Sequence, residues 1–501
     1  MKKIHIYILS VVFSFSAFSC QDWMNVDPAG VQTTTTYWQT KGEVEAVLGK
    51  GYKNLRDAVE TIIFWGETRG NELMINNTAA LSIRNGDILP TNSWNDWSKM
   101  YAIIGMANSV IKYAPEVSEK DASFNEGEMR STMAEAHFLR GLSYFYLVRM
   151  FKDVPYITEP YVTDDAEFQV GVTDGYEILR KEIAAITPYL EYAKEFFPEV
   201  EDTKGRATRW ALYALVADMN LWIGDYKACV TACDAIINSG RVGLIAGNTW
   251  FTNFYPGNSN ESIFEIQYSN ALSQTNSFKS WFAATTSGSV INYGKFATAS
   301  MALTRFYLWL SEGDVRGEGA TFGTASSSAS QFTVWKYYGI DTYNTARGDL
   351  DNDQNWIIYR LAEIYLMKAE AVAMQGDYPG AIEIMNEVRT RAGSDALDSN
   401  QYADEYSTVT AIYNERFVEL FAEGKNWFDM LRIGLRYESD ARYKDFLITE
   451  ATRGLTSISA ALVRSKMNRY VPYSWYLPIY NSELEANIKL EQNPAYANYG
   501  N

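Results

Sequence analysis

The sequence predicts a mainly α-helical protein, in which paired helices form a frame that carries long irregular loops and a little β structure. Three kinds of stretch lead to this fold class. Glu135–Tyr156 is apolar on nearly every side of a helix, so it has to be buried among other helices. Arg206–Gly240 and Trp356–Gly393 each have the pattern of two helices joined by a Gly-Asp-Tyr turn. Asn248–Gly348 is rich in Ser, Thr, Asn, Gly and aromatic residues, which indicates loops.

The N-terminus has the pattern of a bacterial lipoprotein signal. Lys2 and Lys3 precede an apolar run, Ile4–Phe18, which is long enough for a signal sequence and short for a membrane span. A small residue then stands directly before Cys20, as in a lipobox, and cleavage there would leave an N-terminal cysteine for lipidation. Simple secretion with an unmodified Cys20 is the alternative.

The rest of the chain divides at changes in composition. Residues 1–19 are expected to form the signal peptide, and the polar residues 20–40 a lipidated tether. Residues 41–501 are expected to form the folded domain, with an N-terminal half, 41–247, and a C-terminal half, 248–501. After the signal, no apolar run is as long as a membrane-spanning helix.

The two helix pairs have the layout of tetratricopeptide-like hairpins. Gly224 and Gly376 stand where the first helix of each pair should end, since glycine readily adopts the left-handed C-cap conformation. Ala228 and Ala381 lie near the start of each second helix, where a small side chain allows close approach. Glu135–Tyr156 resembles a third, degenerate unit.

Arg149 is on an apolar side of the Glu135–Tyr156 helix. A buried guanidinium needs a carboxylate partner, because an unpaired buried charge costs several kcal/mol. We therefore expect an acidic residue on another helix to face it, either Glu363 or Glu370.

The composition excludes several functional classes. The 501 residues carry a net charge of −17, which argues against nucleic-acid binding. The only histidines are His5, which leaves with the signal, and His137, so neither a Ser-His-Asp triad nor a multi-histidine metal site is expected. Cys229 and Cys233 are four residues apart in a helical pattern and are interpreted as buried thiols. No cofactor is predicted.

Clustered carboxylates raise the question of catalysis. Glu415, Glu419 and Glu423 are four residues apart, and Glu363 and Glu370 are seven apart. Two carboxylates on either side of a sugar could form a glycosidase. We prefer to interpret these residues as part of ion-paired frame helices, so we predict that the protein is not an enzyme. Several arginines could serve as partners: Arg149, Arg360, Arg389, Arg391 and Arg432.

Ligand binding is assigned to the loops. Sugar recognition combines aromatic platforms with amide and charged groups, and two stretches contain this mixture. The first is Asn71–Trp94 and the second is Gln274–Tyr293. Each aromatic residue could instead pack within its loop. The candidate ligand-binding residues are Asn76, Arg84, Trp94, Phe278, Trp281, Phe282 and Tyr293.

Six segments together resemble the SusD/RagB family of surface lipoproteins, and they occur in the family's order. They are Glu135–Tyr156, Gly205–Tyr226, Ile357–Ala371, Met385–Gly393, Glu415–Arg432 and Leu477–Tyr496. With Cys20, the resemblance covers essentially the whole mature chain. It implies a lipid-anchored protein on the outer surface of the outer membrane, with a TonB-dependent β-barrel transporter of the SusC/RagA type as its partner.

The resemblance implies capture of a nutrient and its delivery to the barrel, without catalysis. An oligosaccharide is the expected ligand. The alternatives are a peptide, as in the RagB branch of the family, and a hydrolase built on the clustered carboxylates. The family's recognisable segments are scaffold segments, so they do not identify the ligand.

Overall fold

The computed structural model describes residues 37–70, 73–75, 78–161, 167–287, 290–323, 331–342 and 345–499. These residues are mainly helical and contain few strands, as the sequence predicts. The signal peptide, Cys20, most of the tether and Asn76 lie outside the described residues. No helix in the described ranges combines the length and the apolar character needed to cross a bilayer.

The elements are numbered in chain order. Helices before residue 240 are α1 (Lys41–Asp57), α2 (Val59–Glu67), α3 (Thr78–Arg84), α4 (Ser98–Lys120), α5 (Glu126–Phe151), α6 (Gly175–Ile186), α7 (Val200–Gly205), α8 (Arg209–Ile223) and α9 (Tyr226–Ile237). Later helices are α10 (Phe278–Trp281), α11 (Ser300–Trp309), α12 (Trp335–Tyr338), α13 (Leu361–Ala373), α14 (Tyr378–Arg391), α15 (Glu405–Glu419), α16 (Asn426–Gly434), α17 (Ala441–Thr452), α18 (Ser457–Met467) and α19 (Asn481–Ala486).

The strands are short. They are β1 (Leu73–Ile75), β2 (Val154–Pro155), β3 (Val172–Thr173), β4 (Ser262–Ile266), β5 (Ala284–Ser287), β6 (Val290–Tyr293), β7 (Phe296–Ala299), β8 (Phe322–Gly323), β9 (Gln331–Val334) and β10 (Trp356–Arg360). Four of them form a sheet in the order β1-β7-β9-β8, and the remaining pairs are β10-β4, β2-β3 and β5-β6.

Helix α5 lies at the centre of the N-terminal helices. Asn125 begins it, because the Asn125 side chain accepts a hydrogen bond from the backbone N–H of Glu128 at 3.1 Å. Every residue of α5 from Ser131 to Phe151 is buried, since α1, α4, α6 and α8 all pack against it. The prediction that this stretch is enclosed by other helices is therefore confirmed.

Arg149 has a carboxylate partner on another helix, but the partner is neither of those expected. Its Nη1 lies 3.8 Å from Oδ2 of Asp218 on α8, and its guanidinium carbon lies 3.9 Å and 4.0 Å from the ring centroids of Phe145 and Phe428. The expectation of Glu363 or Glu370 is wrong because both are held by other cations. Glu363 pairs with Arg416 at 3.2 Å and Lys425 at 2.9 Å, and Glu370 with Arg432 at 2.7 Å.

The two predicted hairpins are α8–α9 and α13–α14, and α9 packs against α13. Gly224 and Gly376 have φ values of +82° and +90°, which end each first helix. The next residue then caps the second helix: Asp225 accepts from the N–H of Ala228 at 3.0 Å, and Asp377 from that of Gly380 at 2.9 Å. In each Gly-Asp-Tyr turn, the glycine thus ends the first helix and the aspartate caps the second.

A strand precedes the second hairpin. Residues 356–360 pair with β4 as β10, whereas the sequence pattern included Trp356–Arg360 in the helix pair Trp356–Gly393. All five residues of β10 are buried, so this strand has no polar alternation that would distinguish it from a buried helix.

The clustered carboxylates are ion-paired inside the frame, as expected. Glu419 is fully buried, and its Oε1 lies 2.7 Å from Nη2 of Arg391. Arg360 donates to Glu261 at 2.8 Å and to Glu423 at 2.9 Å. Burial opposes ionisation of Glu419, but Arg391, Arg360 and Arg316 hold its pKa well below the ordinary value. These residues form a charged layer within the frame.

Candidate ligand-binding cleft

The first loop stretch predicted to bind ligand lies beside the strand that follows the second stretch. Strand β1, from the first stretch, pairs antiparallel with β7, which directly follows the second stretch. The register places Leu73 opposite Thr298 and Ile75 opposite Phe296. Segments more than 200 residues apart in the sequence are therefore neighbours in one sheet.

The short helix α10 and Phe282 directly after it carry three candidate aromatic residues, and two of them are in the core. Phe278 is 1% exposed and Phe282 is 0% exposed. Phe282 stacks on Tyr337 with a centroid distance of 4.4 Å, and Phe278 meets Trp356 edge to face at 5.6 Å. Phe282 presents no face to solvent and does not line the cleft described below, so the structure does not support it as a ligand contact, whereas the almost fully buried Phe278 lies in the cleft wall. The packing of both rings fixes the position of α10.

Trp281 is the aromatic residue of α10 that remains half-buried at the surface. The ammonium group of Lys295 lies 4.6 Å from its ring centroid, and Lys295 is also ion-paired with Glu60 on α2. Trp281 forms one wall of a cleft of about 400 Å³. Loop residues 273–278 and residues of α1 and α2 supply most of the remaining wall.

Gly294 allows the strand turn to approach α10. A Cβ atom at this position would lie 2.1 Å from the carbonyl oxygen of Ser280 and 2.5 Å from that of Trp281. Both distances are far below van der Waals contact, so only glycine fits without movement of the backbone. The Gly294 N–H donates to the carbonyl of Ala283 at 2.7 Å, which fastens the turn in place.

The polar groups of the cleft are held by the surrounding frame. Arg56 donates to the side-chain oxygen of Gln274 and, at 3.3 Å, to the carbonyl of Gln267. Asn276 donates to the carbonyl of Gln354 at 2.7 Å. Burial raises the pKa of Tyr268, so its hydroxyl stays neutral at physiological pH. The cleft therefore combines an aromatic platform with amide, hydroxyl and charged groups.

Trp94 lies along the same face of α2 as this cleft. Its ring stacks on Phe64 with a centroid distance of 3.9 Å and an interplanar angle of 8°. Phe64 and Glu60 are four residues apart on α2, so they share one helix face, and Glu60 holds Lys295 beside Trp281. Trp94 and Trp281 therefore lie beside the same helix, α2, Trp94 near Phe64 and Trp281 near Glu60. Trp94 does not line the cleft itself.

The remaining candidates lie elsewhere. Arg84 is buried at the end of α3 and lines a different cavity. Tyr293 is half-buried and pairs with Ala284 in the β5–β6 hairpin, outside the cleft lining. Asn76 falls outside the described residues.

Sequence reasoning missed several cleft residues. Arg56 and Glu60 are on helices, and a helical pattern alone does not show which polar side faces a loop from elsewhere in the chain. Tyr268 lies two residues after β4. Lys295, which contacts Trp281 without lining the cleft, lies two residues beyond the Gln274–Tyr293 stretch. The adjacent Gly294 was the available signal, because a glycine beside a strand indicates a close backbone approach.

Sequence comparison identifies the family. The profile of the SusD family matches residues 286–496, and a profile described as "Starch-binding associating with outer membrane" matches residues 22–221. The chain belongs to the SusD family. The resemblance carried by the six scaffold segments is thereby confirmed.

Similar SusD-like proteins come from two organisms. SusD-like protein P25 of Formosa agariphila is 25% identical over 567 residues, and the alignment covers 99% of each chain. SusD-like protein P2 of the same organism is 24% identical over 485 residues, covering 87% of this chain and 92% of the relative. A SusD-like protein of Bacteroides ovatus is 28% identical over 391 residues, covering 68% of this chain and 66% of the relative.

Solved structures share the SusD fold. A SusD superfamily protein from Bacteroides vulgatus superposes with a TM-score of 0.75 at 17% identity, covering 92% of this chain and 100% of the other. A laminarin-binding SusD-like protein gives a TM-score of 0.69 at 22% identity, with the same coverage. At these identities, the likeness establishes the fold.

Proposed function

We propose that this SusD-family protein binds an oligosaccharide at the cell surface and delivers it, chemically unchanged, to a TonB-dependent SusC-like barrel. The observation that carries the proposal is the cleft in which Trp281 stands beside Tyr268, Gln274 and Asn276. An indole face suits the C–H face of a pyranose, and amide and hydroxyl groups suit its hydroxyls. A SusD-like protein of the same fold binds laminarin, which supports glycan as the ligand class.

Lipidation at Cys20 is part of this proposal. It would anchor the domain to the outer membrane through the tether, in agreement with the outer-membrane association in the description of the matching profile. Mass spectrometry of the protein extracted from membranes should detect acyl chains on an N-terminal Cys20. A Cys20→Ala variant should be found in the soluble fraction.

The burial of the clustered acids supports binding without catalysis. Glu415 and Glu419 are 0% exposed and Glu423 is 2% exposed, and each is paired with buried cations. A glycosidase needs two carboxylates that reach the scissile bond from either side. These acids do not line the Trp281 cleft, and the two carboxylates that do, Asp57 and Glu60, are ion-paired with Lys53 and Lys295.

Binding assays with the mature full-length protein test the ligand class. Neutral oligosaccharides and peptide mixtures should be titrated separately, with their reducing ends and free amines measured before and after. We expect binding of oligosaccharide without release of new reducing ends. Binding of peptides alone would favour the peptide-importer alternative and would contradict the proposal. Purification in detergent should recover the barrel partner with the protein.

A further inference from the structure

A second cavity, of about 310 Å³, lies between α3 and the C-terminal part of the chain. It shares no lining residue with the Trp281 cleft. Its apolar surface includes Ile83 from α3, Ile88 after it, and Val463 and Met467 from α18. The cavity is therefore a separate site with a partly apolar wall.

The charged residues that line this cavity are all basic. Among the described residues they are Arg69, Arg84, Lys466 and Arg469, and no aspartate or glutamate joins them. The chain as a whole has 61 acidic and 44 basic residues. Basic residues concentrated around one cavity of an acidic protein create a local positive potential, which attracts anions.

Arg69 differs from other buried arginines of the frame. Arg149, Arg360 and Arg432 each lie within 4 Å of a buried carboxylate. Arg69 is 8% exposed and instead donates to the backbone carbonyls of Trp475 and, at 3.3 Å, Ser474. No described carboxylate forms an ion pair with it, and burial lowers its pKa to about 10.

Two further basic residues of the cavity are less buried than Arg69, since Lys466 is half-buried and Arg469 is exposed. Lys466 donates to the carbonyl of Gly86 at 2.7 Å, with Asp87 at 3.7 Å. Arg469 is exposed and has no ion pair within the described part of the chain. Tyr470 beside it is 56% exposed and has a φ of +52°, a conformation that costs a bulky residue about 1–3 kcal/mol. Such strain is often found where a side chain is held for a ligand.

We propose that this cavity binds the anionic group of an acidic sugar, a carboxylate or a sulfate ester. The positive groups would neutralise the anion, and Arg69 would gain the counter-charge that the frame does not supply. The apolar wall and Tyr470 would contact the C–H face of the same sugar ring. The anion follows from the charges alone, whereas its attachment to a sugar rests on the proposed function.

Paired ligands test the charge requirement. The mature full-length protein should be titrated with oligogalacturonate and its carboxyl-reduced form, and with a sulfated galactan oligosaccharide and its desulfated form. We expect at least one acidic form to bind about tenfold more tightly than its neutral counterpart, the size expected for one charge-assisted hydrogen bond. The ligand pair that shows the difference in affinity identifies the bound anionic group as a carboxylate or a sulfate ester. Equal affinity within both pairs would overturn the proposal.

Variants locate the effect. Arg469→Gln should weaken binding of the preferred acidic form about tenfold, and Arg464→Gln should leave it unchanged. Arg464→Gln is the control because it also removes one positive charge, but Arg464 is an exposed residue of α18 that does not line the cavity. An equal effect of both variants would show a general charge effect and overturn the assignment.

The same titrations separate this inference from the proposed function. If a neutral glycan binds and requires Trp281, while acidic glycans show no dependence on Arg469, the inference fails and the function stands. If acidic and neutral glycans alike do not bind, both fail. If acidic peptides bind in place of glycans with the same Arg469 dependence, the sugar assignment is overturned.

Discussion

The ammonium group of Lys295 lies 4.6 Å from the ring centroid of Trp281 and is ion-paired with Glu60 of α2. This arrangement connects the strand turn after β6 to the helical frame through one side chain. The indole is thereby held by a cation on the strand side and by the packed helix α10. A rigid aromatic platform loses little conformational entropy when a ligand binds.

Trp281→Ala should weaken oligosaccharide binding about tenfold or more with little change in stability, because it removes a partly exposed ring that packs at the edge of the core. Isothermal titration calorimetry measures the affinity and thermal unfolding measures stability. Tyr192→Ala is the control, since Tyr192 is 43% exposed and does not line the cleft. Equal affinities for both variants would argue against the cleft.

Gly294→Ala should lower both the melting temperature and the affinity for oligosaccharide. The added Cβ would lie 2.1 Å from the Ser280 carbonyl oxygen, so the turn or α10 has to move. Gly49→Ala is the matched control, because a Cβ at Gly49 in α1 meets nothing within 4 Å. The control should be neutral or stabilising by about 0.5–1 kcal/mol. A Gly294→Ala variant as stable as Gly49→Ala would contradict the observed close approach.

Glu419→Gln should reduce the free energy of unfolding by roughly 3–5 kcal/mol, because it removes a buried charge that compensates Arg316, Arg360 and Arg391. Urea denaturation at neutral pH measures the loss. Glu177→Gln removes an exposed pair with Lys181 and should cost less than about 1 kcal/mol. If the Glu419 change were neutral for stability but removed a ligand-cleaving activity, the frame interpretation would be wrong.

Glu67 should make stability depend on pH between about 4.5 and 8. Its carboxylate accepts from the backbone N–H groups of Gly424 and Lys425 at 2.6 Å and 3.2 Å, yet burial raises its pKa from 4.5 to about 8. The folded state therefore binds a proton that the unfolded state releases in this range. The resulting stability is present at low pH and is lost as pH rises towards 8.

Glu67→Gln should remove this dependence. Relative to the natural chain, the variant should gain stability between pH 5 and pH 8, by up to about 1.4 kcal/mol for each unit of the pKa difference. Denaturant unfolding at several pH values provides the comparison. Glu119→Gln, an exposed change on α4, should leave the pH profile unaltered. Parallel profiles for the natural chain and Glu67→Gln would contradict the raised pKa.

The frame was predictable because its signals are local. Gly224 and Asp225 determine the end of one helix and the start of the next through their own backbone and side-chain chemistry. The partner of Arg149 was not predictable, because three acids were available on neighbouring helices. The choice of Asp218 depends on how α5 and α8 are aligned in space.

The candidate site was predictable only in part. Trp281 was selected because it belongs to a stretch rich in aromatic and amide residues. Phe278 and Phe282 belong to the same stretch but lie in the core. Helix α10 has only four residues, so its sequence has too little periodicity to separate a buried face from an exposed one. Arg56 and Glu60 reach the cleft from helices more than 200 residues away in sequence, and only the fold brings them there.

The most direct test of the account is a crystal structure of the mature protein with an oligosaccharide selected by the binding assays. The account predicts a sugar ring stacked on the indole of Trp281, with its hydroxyls within hydrogen-bond distance of the cleft's polar groups. A sugar bound at another surface, with the Trp281 cleft occupied only by solvent, would contradict it.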